Sequence, residues 1–182
     1  MDSGITAPKI ENFGFNIITA NRQVDELTSE GFVFKPWYPI YKRRLDSGAI
    51  AFCGFAGKEL AHVSWWALTA EAMKSLAEPP FSVDFQNNEA ACGDYWTNQR
   101  YRGLGIAHYA SRMSQQYMRD NGIVMYRGTI AKRNLQAQRI SRQTNSYVYK
   151  EGRYLKILWW KFWKETPVIV KEEETPLKNL SS

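Results

Sequence analysis

The stretch Arg100-Tyr101-Arg102-Gly103-Leu104-Gly105-Ile106-Ala107 decides the reading of this chain. It follows a strand-like segment, Glu89 to Thr97, and opens a helix-like one, Ile106 to Asp120. A basic, glycine-rich turn feeding a helix N-terminus suits a phosphate group. Glycine lets the backbone approach closely, and the helix dipole favours negative charge at that end. The turn is not a P-loop, because no Gly-Lys-Ser/Thr follows. Nor is it a dinucleotide fingerprint, because the third glycine of G-x-G-x-x-G is His108. Taken alone, the same residues also make an ordinary strand-to-helix turn.

The segments around the turn extend the pattern. Asp120-Asn121-Gly122 reads as a helix stop, Ile123 to Ile130 as a strand, and Asn134 to Thr144 as a second helix. Upstream, Asn12 to Ala20 alternates as a strand. Asn21 to Glu30 reads as a helix capped by Asn21, and Tyr38 to Asp46 as another. Ala49 to Ala56 and Leu60 to Leu68 form a hairpin across Gly57-Lys58-Glu59. Thr69 to Ala77 is a helical turn stopped by Pro79-Pro80. Ser146 to Lys150 and Tyr154 to Lys164 are two further strands around Gly152. In the helix after the turn, Ile106, Tyr109, Ala110, Met113 and Tyr117 recur at helical spacing and read as a core stripe.

This order, with its two motifs, resembles the GCN5-related N-acetyltransferase superfamily over about residues 12–164. In that family R/Q-x-x-G-x-G/A binds the pyrophosphate of acetyl-coenzyme A, and N-x-x-A/S lies along the pantetheine arm. The matching residues are Arg100, Gly103 and Gly105, then Asn134 and Ala137. The resemblance implies an α/β, single-domain acetyltransferase fold, with a mixed central sheet of about six to seven strands and about four flanking helices. It implies acetyl-coenzyme A as acyl donor, held by Arg100, Arg102, Gly103, Leu104, Gly105 and Ile106. Backbone of Trp96, Thr97 and Asn98 would line a gap between splayed strands, where a free N–H polarises the thioester.

Amine acetylation also needs a base and an acid. The resemblance points to Glu89 as base, and Ala90 and Ala91 beside it would desolvate the carboxyl and raise its pKa. Asp94 is the second candidate, and His62 reads as a core histidine with a smaller claim. His108 is structural or near phosphate. The family's frequent general-acid tyrosine is Ser141 here, with Tyr147 or Tyr149 as substitutes. The usual proline before the turn is Gln99, and the family's Gly-Phe is Asn145-Ser146. These departures mark a divergent branch.

Composition bounds the partners. With 182 residues, 44% of them hydrophobic, the chain can bury one substantial core. The net charge of +6 suits nucleic acid, an anionic surface or a polyanionic cofactor, and many of the basic residues bracket the Gly-rich turn. They do not interleave with aromatics along a groove, which speaks against nucleic acid. No metal spacing involves Cys53 or Cys92, which read as buried thiols. Neither a signal peptide nor a membrane span is legible, so a cytoplasmic protein without stable membrane insertion is expected. Residues 1–11 and 165–182 read as flexible tails. Trp159, Trp160, Phe162 and Trp163 read as a terminal hairpin or an acceptor pocket. The expected function is acetyl transfer to a small-molecule amine. A protein or peptide acceptor, or a non-catalytic basic module, is the alternative, and a homodimer stays open.

Overall fold

The computed structural model describes residues 6–34, 38–76, 81–144 and 146–168. They divide into two units, one within residues 1–145 and one within 146–182. The first unit holds a five-stranded sheet in sequential order. Its strands are β1 (Phe13–Ile18), β2 (Ile50–Ala56), β3 (Glu59–Ala67), β4 (Glu89–Thr97) and β5 (Met125–Arg127). The β1–β2, β2–β3 and β3–β4 pairings are antiparallel and β4–β5 is parallel. Helices α1 (Asn21–Ser29) and α2 (Tyr38–Asp46) connect β1 to β2. Helix α3 (Ala70–Leu76) follows β3, α4 (Ile106–Asp120) joins β4 to β5, and α5 (Leu135–Gln143) follows β5. The fold is therefore mixed α/β, as expected. Its seven strands are split five and two, and the helices number five among the described residues.

Strand alternation builds both faces of the sheet. One face gathers Ile50, Phe52, Trp66, Ala90 and Cys92 against Met118 and Tyr117 of α4. On the other, Phe34, Tyr41, Phe55 and Trp65 meet edge to face, with ring centroids 5.0–5.7 Å apart. Both cysteines are buried free thiols. The α4 stripe is Ile106, Ala110, Ser114, Gln115 and Met118. Tyr109 stands beside it against Phe13 and Phe15. Buried Gln115 donates to the Tyr126 hydroxyl and the Thr144 carbonyl, tying α4 to β5 and to the end of α5. Gly54 has no room for a side chain, since a Cβ would lie 2.8 Å from Ile106 Cδ1. This close approach lets α4 start directly on the sheet.

Several expected boundaries shift. The α1 cap is Ala20, because Gln23 reaches back to receive the Thr19 and Ala20 N–H groups. Asn21 instead donates to the Lys42 carbonyl. Strand β5 has three residues rather than eight. The N-terminal segment is not loose over its described part: Pro8 is buried, and Lys9 N–H donates to the Leu104 carbonyl at 3.2 Å. Residues 1–5, Pro79-Pro80 and Asn145 lie outside the described residues.

The second unit is a hairpin of β6 (Lys150–Ile157) and β7 (Trp160–Pro167), turning at Leu158-Trp159. Gly152 lies within β6 rather than at the turn, because the Trp163 ring crosses it and would overlap any Cβ. Residues 165–167, expected in a tail, belong to β7; residues 169–182 lie outside the described residues.

Candidate functional site

The site begins where β4 and β5 part. They pair only at Glu89–Met125, Ala90–Tyr126 and Ala91–Arg127. Gly128 still crowds Cys92, and a Cβ there would sit 2.8 Å from the Cys92 carbonyl oxygen. Beyond it, Gly93 to Thr97 have no strand partner on the β5 side within the first unit. On the β3 side, Trp96 pairs with Val63 and Gly93 with Trp65. Three steps on β4 thus face two on β3, so β4 carries a bulge. Asp94 lies in it with φ 49°, its carboxylate paired with Arg44. Arg44 in turn lies over the Trp65 ring, 5.1 Å from its centroid.

Past the bulge the phase of the backbone is set. Asn98 N–H donates to the Ala61 carbonyl at 2.9 Å. Peptide directions alternate along a strand, so the Trp96 N–H also points toward β3. Among Trp96, Thr97 and Asn98, it is Thr97 whose N–H faces the unpaired edge. Of the three residues expected to offer backbone there, the structure leaves Thr97. Asn98 is spent on β3 and on its own turn, where its side chain accepts from Arg100 N–H and donates to Glu59.

The Gly-rich turn follows. Gly103 and Gly105 have φ of 78° and 87°, a region that L side chains rarely enter, and Gly105 caps α4. The first helical bond runs from Tyr109 N–H to the Gly105 carbonyl. The N–H groups of Ile106, Ala107 and His108 meet no acceptor among the described residues, as the first turn of a helix dictates. Arg100 does not point to these donors. It pairs at 3.2 Å with Glu59, which also accepts from the Tyr101 hydroxyl at 2.7 Å and from Asn98 at 3.0 Å. Arg102 Nε donates to the Thr97 carbonyl at 3.3 Å. The R/Q-x-x-G-x-G/A pattern also fits two residues further on, as Arg102, Gly105 and Ala107. In that register the second small residue, Ala107, lies inside the first turn of α4.

Glu59 is the residue sequence reasoning missed. It reads as part of a hairpin turn, and nothing local marks it as the anchor of residues 98–101. Its exposed ion pair with Arg100 contributes little. The hydrogen bonds from Tyr101 and Asn98 to a charged acceptor contribute more, about 1.5–3 kcal/mol each.

Glu89 departs from expectation. Its carboxylate takes Arg127 Nε at 2.7 Å, Nη2 at 2.6 Å and the Asp84 N–H at 2.9 Å. The Arg127 hydrogen bonds, aided by that N–H, hold its pKa down at about 2 rather than raising it. Ala90 and Ala91 do follow it, but cross-strand contacts outweigh chain neighbours. Such a carboxylate is a poor base; from the first rung of the β4–β5 ladder it binds Arg127 of the last.

His62 is buried in β3, with Nδ1 2.8 Å from the Thr97 hydroxyl. Burial pushes its pKa down to about 4, so it is neutral at pH 7. Asn134 caps α5: its side-chain oxygen accepts the Ala137 N–H at 3.1 Å. Ser141 sits in the last turn of α5, where its carbonyl receives the Thr144 N–H and hydroxyl. Tyr147 and Tyr149 belong to the second unit. Among the described residues no helix is long and apolar enough to cross a membrane.

The fold, with its bulged, half-paired β4 running into a glycine turn and α4, is shared with solved acetyltransferase structures. An aminoglycoside N-acetyltransferase in complex with coenzyme A superposes with a TM-score of 0.55 at 9% identity, over 79% of this chain and 98% of that one. An aminoglycoside acetyltransferase from an uncultured soil metagenomic sample, in complex with sisomicin, gives 0.54 at 11% identity, over 80% and 95%. A putative acetyltransferase from Agrobacterium tumefaciens gives 0.52 at 10%, over 78% and 99%. No protein-family model matches the chain, and no curated protein matches it in sequence.

Proposed function

We propose that this protein transfers the acetyl group of acetyl-coenzyme A to an amine of a small molecule by direct attack on the thioester. One observation carries the reading: the outward Thr97 N–H lies on the same run of chain as the open N–H groups of Ile106 to His108. The first suits a carbonyl oxygen and the others a pyrophosphate. Structural neighbours at this level of fold include enzymes bound to coenzyme A and to a bisubstrate analogue of it, and others bound to sisomicin or trehalose.

The amine nitrogen attacks the carbonyl carbon, a C–N bond forms, and the C–S bond breaks. Negative charge gathers on the carbonyl oxygen, which Thr97 N–H stabilises. The ammonium proton goes to Asp94, three residues before Thr97 and half exposed, or to water. The departing thiolate accepts a hydrogen bond from Ser141, the residue at the position the family resemblance marks, and takes its proton from solvent. Asn134, beyond capping α5, lines the pantetheine arm. Arg102 and the turn Gly103 to Ile106 hold the pyrophosphate.

Calorimetry with acetyl-coenzyme A, followed by a thiol-release assay over a panel of amino sugars, polyamines and amino acids, tests the reading. Binding with amine-dependent thiol release supports it. Absence of acetyl-coenzyme A binding overturns it.

A further inference from the structure

The Thr97 N–H is useful only if its direction is held, and the β3 backbone ladder holds its neighbours Trp96 and Asn98 but not Thr97 itself. Asn98 bonds to Ala61, so the neighbouring cross-strand pair, Thr97 with His62, is a pair without backbone hydrogen bonds. The bulge at Asp94 has already loosened the ladder three residues earlier, and Thr97 ends the strand. At this level β3 grips β4 through side chains: His62 Nδ1 lies 2.8 Å from Thr97 Oγ1. His62 is 1% exposed, so water does not compete for that bond. Its cross-strand partner on β2 is Gly54, where Ile106 of α4 leaves no room for a side chain.

A histidine kept only for packing would be replaceable by an apolar ring. This one carries a cost. Its Nε2 is buried with no partner among the described residues, as is the hydroxyl of Ser64 two residues along the same strand. An unsatisfied buried polar atom typically costs about 1–3 kcal/mol. The one bond the ring makes goes to the residue whose peptide faces the unpaired edge.

We propose that His62 is a positioning residue for acyl transfer: through the Thr97 hydroxyl it holds the Thr97 N–H aimed at the thioester carbonyl of acetyl-coenzyme A. The inference rests on the acetyl-transfer reading above. It assigns His62 no proton transfer, which its burial and its single bond disfavour.

The test needs no amine acceptor. Infrared difference spectra of bound acetyl-coenzyme A, labelled with carbon-13 at the thioester carbonyl, report the hydrogen bond as a downshift of the carbonyl stretch. Wild type should show the downshift. His62→Phe and Thr97→Val, which cut the same bond from opposite ends, should both lose most of it, and the double variant should lose no more. Thr97→Ser, which keeps the oxygen, should restore it. The preference for acetyl-coenzyme A over coenzyme A should fall roughly 2- to 10-fold in the cut variants, the worth of one neutral hydrogen bond. Affinity for coenzyme A itself should stay within about twofold, since the turn is untouched. If wild type binds no acetyl-coenzyme A, the acetyl-transfer reading itself fails. If wild type shows the downshift and the cut variants keep it, that reading stands and the role of His62 is overturned. If His62→Phe does not fold, Thr97→Val decides.

Discussion

Arg127 grips the Glu89 carboxylate with two parallel hydrogen bonds, Nε to Oε2 at 2.7 Å and Nη2 to Oε1 at 2.6 Å. This fork spans the paired rungs of β4 and β5, from Glu89 in the first to Arg127 in the last. The edge that would take a thioester therefore starts from a locked base.

Removing one side of that fork leaves the Arg127 charge without its carboxylate. Breaking a buried pair costs roughly 3–5 kcal/mol, and the partial exposure of Arg127 puts Glu89→Gln at or below the low end. Urea denaturation should show the loss. The wild-type shape of the pH–rate profile should survive in the variant, because the lowered Glu89 pKa makes it a poor base. Loss of an acid limb, where an essential base takes up its proton, would restore it to that role.

Acid should destabilise the protein in two windows. Burial holds the His62 pKa at about 4 against an ordinary 6.5. The unfolded chain thus binds the proton first, and stability present in full above pH 6.5 is lost as pH falls toward 4. At about 1.36 kcal/mol per unit the loss is roughly 3 kcal/mol. Glu89 is held at about 2 against 4.5, so its contribution is lost as pH falls from 4.5 toward 2. Thermal melts across this range should show both windows, and His62→Phe should remove only the first.

At Gly103, φ is 78° and nothing lies within 4 Å of where a Cβ would stand. Asn and Asp both tolerate that conformation better than other side chains. Gly103→Asn and Gly103→Asp should therefore lose similar stability. Only the aspartate adds a negative charge beside the phosphate donors, so calorimetry should find its acetyl-coenzyme A affinity lower by at least tenfold, about 1.4 kcal/mol. Equal affinities would move the pyrophosphate elsewhere.

Asn134→Ala removes the acceptor of the Ala137 N–H and should cost about 1 kcal/mol of stability. The proposed pantetheine role predicts a further loss of coenzyme A affinity. Asn134→Asp keeps the cap oxygen but not the amide donor. It should keep the stability while still weakening binding. If neither variant binds more weakly, Asn134 is a cap only.

Local chemistry made much of this protein readable from its residues. Gly103 and Gly105 must sit where the chain turns with positive φ, Asn134 caps because its side chain reaches its own helix, alternation marks β1, and strand-like runs mark β2 to β4. These effects act within a few residues, so the order of elements and the turn-to-helix motif follow from sequence alone. The chemistry of the site was decided at longer range. Glu89 is followed by two alanines in sequence, yet Arg127, 38 residues away, sets its charge state. Glu59 anchors a turn 41 residues downstream, and His62 reaches Thr97 across 35. The bulge at Asp94 turned the backbone so that Thr97, rather than Trp96 or Asn98, faces the unpaired edge. A hydrogen bond or ion pair depends on angstrom-scale placement across strands, and strand register exists only once the sheet has assembled.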